Sequence, residues 1–324
     1  MPGNWREEPF TAVTAPAAPA PRDEAAKETT PRFEVRPPVR SMKELIVPDA
    51  VRSRIDLALR QLDHHKVLYQ EWNLQKIDPH RKGTALNLYG PSGTGKSLAA
   101  EAIAHHRGRP LIDVDYAEIE SKYVGDTPKN IIACFEAARR EGAVLVFNEA
   151  DSILGSRLSN VTQSADHSVN VSRAVMLSQL DRFSGLVIFT TNFPRNYDAA
   201  FVRRILAHVR FDLPDAATRR RLWQTLTPPE LPGAALLDFD ALAERSTGLA
   251  GGDMVNAIMA AAATAVGRPE ADRVVRTPDL LTEIDAVRQA RSEVGKQPRP
   301  MREVSADHLD ALPVPVTSDA GEAG

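Results

Sequence analysis

Apolar and polar positions along the chain fall into two regimes that meet near Pro214. Before it, short apolar runs alternate with segments whose apolar residues recur every three or four positions. Thr84–Tyr89, Leu111–Asp115, Val144–Phe147, Leu186–Thr191 and His208–Leu213 are apolar without strict alternation and predict five strands. Segments near 97–106, 128–140 and 169–183 predict helices between them. Such strands, separated by helices, imply an α/β fold: a parallel five-stranded sheet with helices on both faces and ligands at the strands' carboxyl ends. After Pro214 no strand is predicted. Residues 217–226, 239–246, 253–266 and 278–292 read as helices and imply a small all-α unit. Upstream, Val51, Ile55, Leu59 and Leu62 follow Asp49 with the spacing of one helical face, in a helix expected to run towards Trp72.

The two ends lack any such period. Residues 1–40 are rich in Pro, Ala and charge, and 293–324 in Pro, Gly and charge, so both are read as disordered. A plain solvated arm is the simpler reading of the first stretch, with Phe33-Glu34-Val35 as its one docking candidate. The expected domains are therefore 41–215, α/β, and 216–292, helical. The 324 residues include one cysteine, Cys134, which leaves no internal disulfide and suits a reducing, cytoplasmic setting. Met1–Glu8 hold no apolar run, so no secretory leader is expected, and the alanine-rich run 257–266 is too short to span a bilayer. A net charge of −3 gives no global attraction to nucleic acid or to a membrane.

The candidate chemistry begins at Gly90-Pro91-Ser92-Gly93-Thr94-Gly95-Lys96-Ser97, which fits G-x-x-x-x-G-K-[ST] without mismatch. Glycines let a backbone wrap an anion and present its N–H groups to phosphates. Lys96 offers an ammonium to the β- and γ-phosphates, and the Ser97 hydroxyl is a hard oxygen ligand for Mg²⁺. A strand before the loop and a helix after it are the context this phosphate-binding loop requires. Val144-Leu145-Val146-Phe147-Asn148-Glu149 then runs four apolar residues into acid, the Walker B pattern, with Asn148 where Asp is expected. Glu149 stands where a carboxylate orients an attacking water. Thr190-Thr191-Asn192 ends another strand in polar residues, and the Asn192 amide is placed to reach a γ-phosphate or that water.

Together these motifs resemble the AAA+ ATPases, and within them the AAA clade of ring-forming protein remodellers, over roughly residues 41–290. Four further stretches carry the likeness. Ser121–Asn130 resembles the clade's pore loop and following helix, so Lys122, Tyr123, Val124 and Gly125 would face a central channel. Phe201-Val202-Arg203-Arg204-Ile205 resembles the arginine-finger segment, with Arg204, or Arg203 beside it, acting on a neighbouring subunit's nucleotide. The family's second finger position is occupied by Leu206. Phe211–Asp215 resembles the last strand and the hinge to the lid. Thr247–Met254 resembles the lid turn over adenine, and the likeness carries Val47, Leu98, Gly251 and Asp253 to the nucleotide's surroundings.

The resemblance implies ATP and Mg²⁺ as cofactors, a homo-oligomeric ring, expected as a hexamer, and a protein substrate or partner complex; a role accessory to a larger assembly such as a contractile injection system is an alternative that no residue points to. Asn148 offers a carbonyl without charge where a carboxylate normally holds Mg²⁺, which leaves two readings: weakened Mg²⁺ affinity with activity kept, or poor hydrolysis by a nucleotide-dependent scaffold. A loader acting on nucleic acid is a third class, at odds with the nearly neutral segment Lys122–Asp126. Arg219-Arg220-Arg221 reads as a solvated or intersubunit face, His64, His65, His105, His106 and His167 as surface residues, and Arg157–Ser172 as a polar loop, a candidate second pore loop.

Overall fold

The computed structural model describes residues 33–77, 84–119, 126–155, 164–192 and 197–294. In chain order the strands are β1 (Val35–Arg36), β2 (Thr84–Tyr89), β3 (Leu111–Asp115), β4 (Val144–Asn148), β5 (Leu186–Thr191) and β6 (Ile205–Arg210). The helices among them are α1 (Asp49–Asp63), α2 (Lys96–His106), α3 (Tyr116–Ile119), α4 (Asp126–Glu141), α5 (Asp151–Leu154), α6 (Ser164–Arg182) and α7 (Ala199–Arg204). Four more follow: α8 (Ala216–Leu226), α9 (Phe239–Arg245), α10 (Gly251–Val266) and α11 (Thr277–Val294).

The sheet order is β1-β3-β4-β5-β2-β6, parallel throughout except for β1 on β3. Because side chains alternate across a strand, the continuous apolar runs serve both faces at once. Leu145, Phe147, Val187 and Phe189 pack with α4 and α6 through Phe135, Leu177 and Phe183. Val144, Val146, Leu186 and Ile188 pack with α1 and α2 through Ile55, Leu59 and Ile103 on the other face. Phe147 stacks on Phe189 with ring centroids 5.6 Å apart, and Phe135 meets Phe183 edge-on at 5.3 Å. Burying each such side chain stabilises by about 1.5–3 kcal/mol. From β2 the chain crosses β4 and β5 to reach β3, then returns, so the crevice at the strands' carboxyl ends opens beside β2.

Four expectations are corrected here. The sheet has a sixth strand, β1, antiparallel at its edge. Residues 35–40, expected in a loose arm, are tied down: Arg36 bonds Glu101 at 3.1 Å and Asp113 at 3.2 Å, and the Val39 N–H donates to Glu101 at 2.7 Å. The last strand runs Ile205–Arg210, three residues earlier than expected. It starts directly from α7 with no glycine or proline to mark the change, and His208 is accommodated against Asn87 at 3.3 Å. Residues 164–172, expected as polar loop, begin α6. Ser172 and Arg173 are buried, and Arg173 donates to the Ser152 carbonyl at 2.8 Å, so these polar residues point inward.

The helical unit packs α8–α11 round Trp223, Leu242, Met254 and Ile284. The Trp223 indole donates to Ser246 Oγ at 3.0 Å, satisfying its polar edge inside the core. Arg219 is a fifth correction. It is 7% exposed and inside the unit, whereas Arg220 and Arg221 are exposed. Among the described residues no helix is long and apolar enough to cross a membrane.

Candidate active site

At the end of β2 the chain turns through Gly90, whose φ of +143° and contact with Phe211 exclude any side chain. A Cβ there would lie 2.1 Å from the Phe211 carbonyl oxygen. Gly95, at φ +94°, opens α2, whose first free N–H groups and dipole favour an anion. Lys96 is nearly buried and donates to the Gly90 and Pro91 carbonyls, both at 2.8 Å. Burial pulls its ammonium below the ordinary lysine range, while Asp151 opposes the shift. The ammonium thus sits inside the loop, on carbonyls that a phosphate would displace.

A cavity of about 440 Å³ lies over this loop, and Lys96, Ser97, Asp115, Asn148, Glu149 and Asn192 all line it. The ends of four strands, β2 to β5, bring them together. Asn148 ends β4, where its Oδ1 accepts from Thr190 Oγ1 at 2.8 Å and from Ser97 Oγ at 3.3 Å. Glu149 follows with φ +50°, a left-handed conformation that costs a non-glycine residue roughly 1–2 kcal/mol. The next residue holds it there, since the Ala150 N–H donates to the Thr190 carbonyl at 3.1 Å. Asn192 follows β5, and its N–H donates to Asp151 Oδ2 at 3.2 Å. Hard oxygens of Ser97, Asn148 and Asp115 on one wall, beside a glycine cradle, fit a nucleotide triphosphate with a divalent cation. A second cavity, about 350 Å³, lies at the strands' opposite ends and is lined by none of the candidate site residues.

The start of α10, expected as the lid turn, reaches this loop. Gly252 N–H donates to the Gly93 carbonyl at 3.1 Å, and a Cβ on Gly93 would touch Ala250 at 3.3 Å. Gly251 opens α10, while Asp253 caps it by accepting from the Ala250 N–H at 2.7 Å and also pairs with Arg291 at 2.7 Å. Leu98 lines the cavity, whereas Val47 is buried in the core under α1 and α2.

The arginines are elsewhere. Arg204 Nε and Nη2 donate to Asp181 at 2.7 and 2.9 Å, and Nη1 donates to the Ala200 carbonyl at 3.0 Å. That paired carboxylate raises its pKa further. Arg203 is exposed, and neither arginine lines the cavity of its own chain. Lys122, Tyr123, Val124 and Gly125 lie outside the described residues, as do 157–163 of the second candidate pore loop. Sequence reasoning missed Asp113 and Asp115. Their signal was a pair of acids two apart at the end of an otherwise apolar strand, hence on one face of the sheet.

Comparison with known proteins agrees with this geometry. Residues 86–213 match the model of the ATPase family associated with various cellular activities (AAA). The chain is 35% identical over 173 residues to the 26S proteasome regulatory subunit 6B homolog of Dictyostelium discoideum, which covers 51% of this chain and 41% of that protein. It is 30% identical over 212 residues to the proteasome-activating nucleotidase of Methanopyrus kandleri, 64% of this chain and 48% of the relative. Katanin p60 ATPase-containing subunit A1 of Strongylocentrotus purpuratus is 31% identical over 193 residues, 56% and 37%. The chain thus spans less than half the length of each of these relatives. With a glycine-rich loop and an acid-ended β4 on one crevice, residues 86–213 form an AAA ATPase domain.

Proposed function

We propose that the protein is a ring-forming ATPase that couples ATP binding and hydrolysis to the remodelling, unfolding or disassembly of a protein substrate. Six copies is the ring that the family resemblance implies. The observation that carries this reading is an incomplete site: one cavity collects Lys96, Ser97, Glu149 and Asn192, while Arg203 and Arg204 lie outside it. A neighbouring subunit would complete it. In this reading Lys96 and the loop N–H groups hold the phosphates, and Glu149 orients and polarises water for attack on the γ-phosphorus. Asn192 steadies that water or the γ-phosphate. Ser97 and Asn148 would hold Mg²⁺, which neutralises charge on the β- and γ-oxygens. An arginine from the next subunit, Arg204 or Arg203, would stabilise charge in the transition state, so Arg204 must first exchange Asp181 for phosphate. The hydrogen bond between Gly252 and Gly93 supports a lid that follows the state of the loop. Tyr123 and Val124 would grip the polypeptide. Relatives named for the proteasome support protein as the substrate class.

A mixing experiment tests the shared site. Glu149→Gln subunits and Arg203→Ala/Arg204→Ala subunits are each expected to be inactive alone. Mixed, they form some interfaces with an intact Glu149 facing an intact arginine pair, and ATPase activity should return. No recovery in rings shown to contain both subunits would refute the trans arginine. The second reading, a nucleotide-dependent scaffold, is favoured by Asn148 alone; steady ATP turnover by the unaltered protein would refute it.

A further inference from the structure

Asn148 stands where this site calls for a carboxylate, and its amide is held in one orientation. Its Nδ2 donates to Asp113 Oδ1 at 2.5 Å, while its Oδ1 accepts from Thr190 and Ser97. An ionised carboxylate only accepts, so the nitrogen must face Asp113 and the carbonyl oxygen must face Ser97. Asp113 is engaged on its other oxygen as well, by Arg36 Nη2 at 3.2 Å. Its charge is therefore partly balanced at the sheet edge.

Asp115 is placed differently. It lies two residues on along β3, on the same face, and pairs in register with Asn148. Neighbouring strands are about 4.8 Å apart. Asp115 also lines the phosphate-loop cavity together with Ser97, Asn148 and Glu149. The charge absent from the end of β4 is present at the same level of the sheet, one strand over.

We propose that Asp115 supplies the carboxylate for the nucleotide-bound Mg²⁺, with Asp113 a positioning residue that turns the Asn148 carbonyl towards Ser97. Mg²⁺ commonly keeps several waters and takes one or two carboxylates besides phosphate oxygens, so a carboxylate set one strand back serves it. This deepens the ATPase reading and rests on it. It also changes the meaning of Asn148, which becomes half of a relocated acid–amide pair instead of a lesion.

The test uses Mn²⁺ as the probe cation and a non-hydrolysable ATP analogue, with free Mn²⁺ followed by electron paramagnetic resonance. Asp115→Asn should weaken Mn²⁺ binding to the protein–nucleotide complex roughly 10–100-fold, the usual effect of losing a group that supports a metal site. Its nucleotide affinity in EDTA should not change, which also reports that the variant is folded; Asp115→Ser should behave alike. The triple variant Asp113→Asn/Asp115→Asn/Asn148→Asp, which returns the carboxylate to β4, should recover most of the Mn²⁺ affinity. Unchanged Mn²⁺ affinity in Asp115→Asn, with nucleotide still bound, overturns this inference alone. Failure of the unaltered protein to bind nucleotide in EDTA overturns the phosphate-loop reading and this inference with it.

Discussion

Arg219 joins the helical unit to the chain leaving β6, and truncating it to methionine is expected to loosen that junction. Its Nε donates to the Ala243 carbonyl at 2.6 Å, Nη1 to the Pro214 carbonyl at 2.9 Å and Nη2 to Thr247 Oγ1 at 2.9 Å. One side chain thereby ties α8 to α9, to the segment after β6 and to the turn before α10. Arg219→Met keeps the aliphatic stem but leaves the two carbonyls without their donor. Hydrogen bonds to a charged group contribute about 1.5–3 kcal/mol each, and three would sum to roughly 4.5–9 kcal/mol if additive. They are not additive, because the guanidinium no longer has to be desolvated and water reaches the Thr247 side. The net cost should be about 2–4 kcal/mol. For a helical unit of this size that lowers its melting temperature by roughly 8–32 °C, at about 4–8 °C per kcal/mol. Differential scanning calorimetry, with hydrogen exchange over 216–247 to assign the transition, is the assay. A melting temperature within a degree or two of the unaltered protein, with unchanged exchange, would refute this account of the junction.

Three other substitutions or modifications follow from the geometry. Gly90→Ala places a Cβ against the Phe211 carbonyl and forces a left-handed φ on alanine, so nucleotide binding measured by a fluorescent ATP analogue should be lost. Asn148→Asp alone sets two carboxylates where an amide now donates to Asp113; one carboxyl pKa must rise above its unfolded value. Its destabilisation is then present at neutral pH and relieved as pH falls through that raised pKa, so thermal melts should converge with the unaltered protein in acid, and adding Asp113→Asn should abolish the effect. Cys134 is fully buried and burial pushes its thiol well above the ordinary range, so a thiol reagent should modify it only as fast as the protein opens; rapid labelling of the native state would contradict its placement.

Most of the α/β layer was legible because its strands are buried on both faces and read as unbroken apolar runs. Val144–Phe147 and Leu186–Thr191 need no partner to be recognised. β1 is different in kind: two residues, Val35 and Arg36, become a strand only because Leu111, Ile112, Glu101 and Asp113 are waiting some 65–77 positions away. The start of β6 was obscured because α7 passes into it without a stop signal. Arg219 looked solvated among three arginines, since no local pattern reveals that its acceptors come from Pro214, Ala243 and Thr247. In the site, contiguous motifs gave Lys96, Ser97, Glu149 and Asn192, which the strand ends do bring together. Asp115 was not found because its relation to Asn148 is a cross-strand register, which a linear motif does not contain.

The central claim is that Glu149, held in a left-handed turn beside the phosphate loop, activates water for ATP hydrolysis. Glu149→Gln preserves size and removes the charge. Its ATP affinity should match that of the unaltered protein, while single-turnover hydrolysis should fall by about 10²–10⁴-fold, the usual loss when a positioned base is removed. Hydrolysis within a few-fold of the unaltered rate, with ATP still bound, would contradict the account.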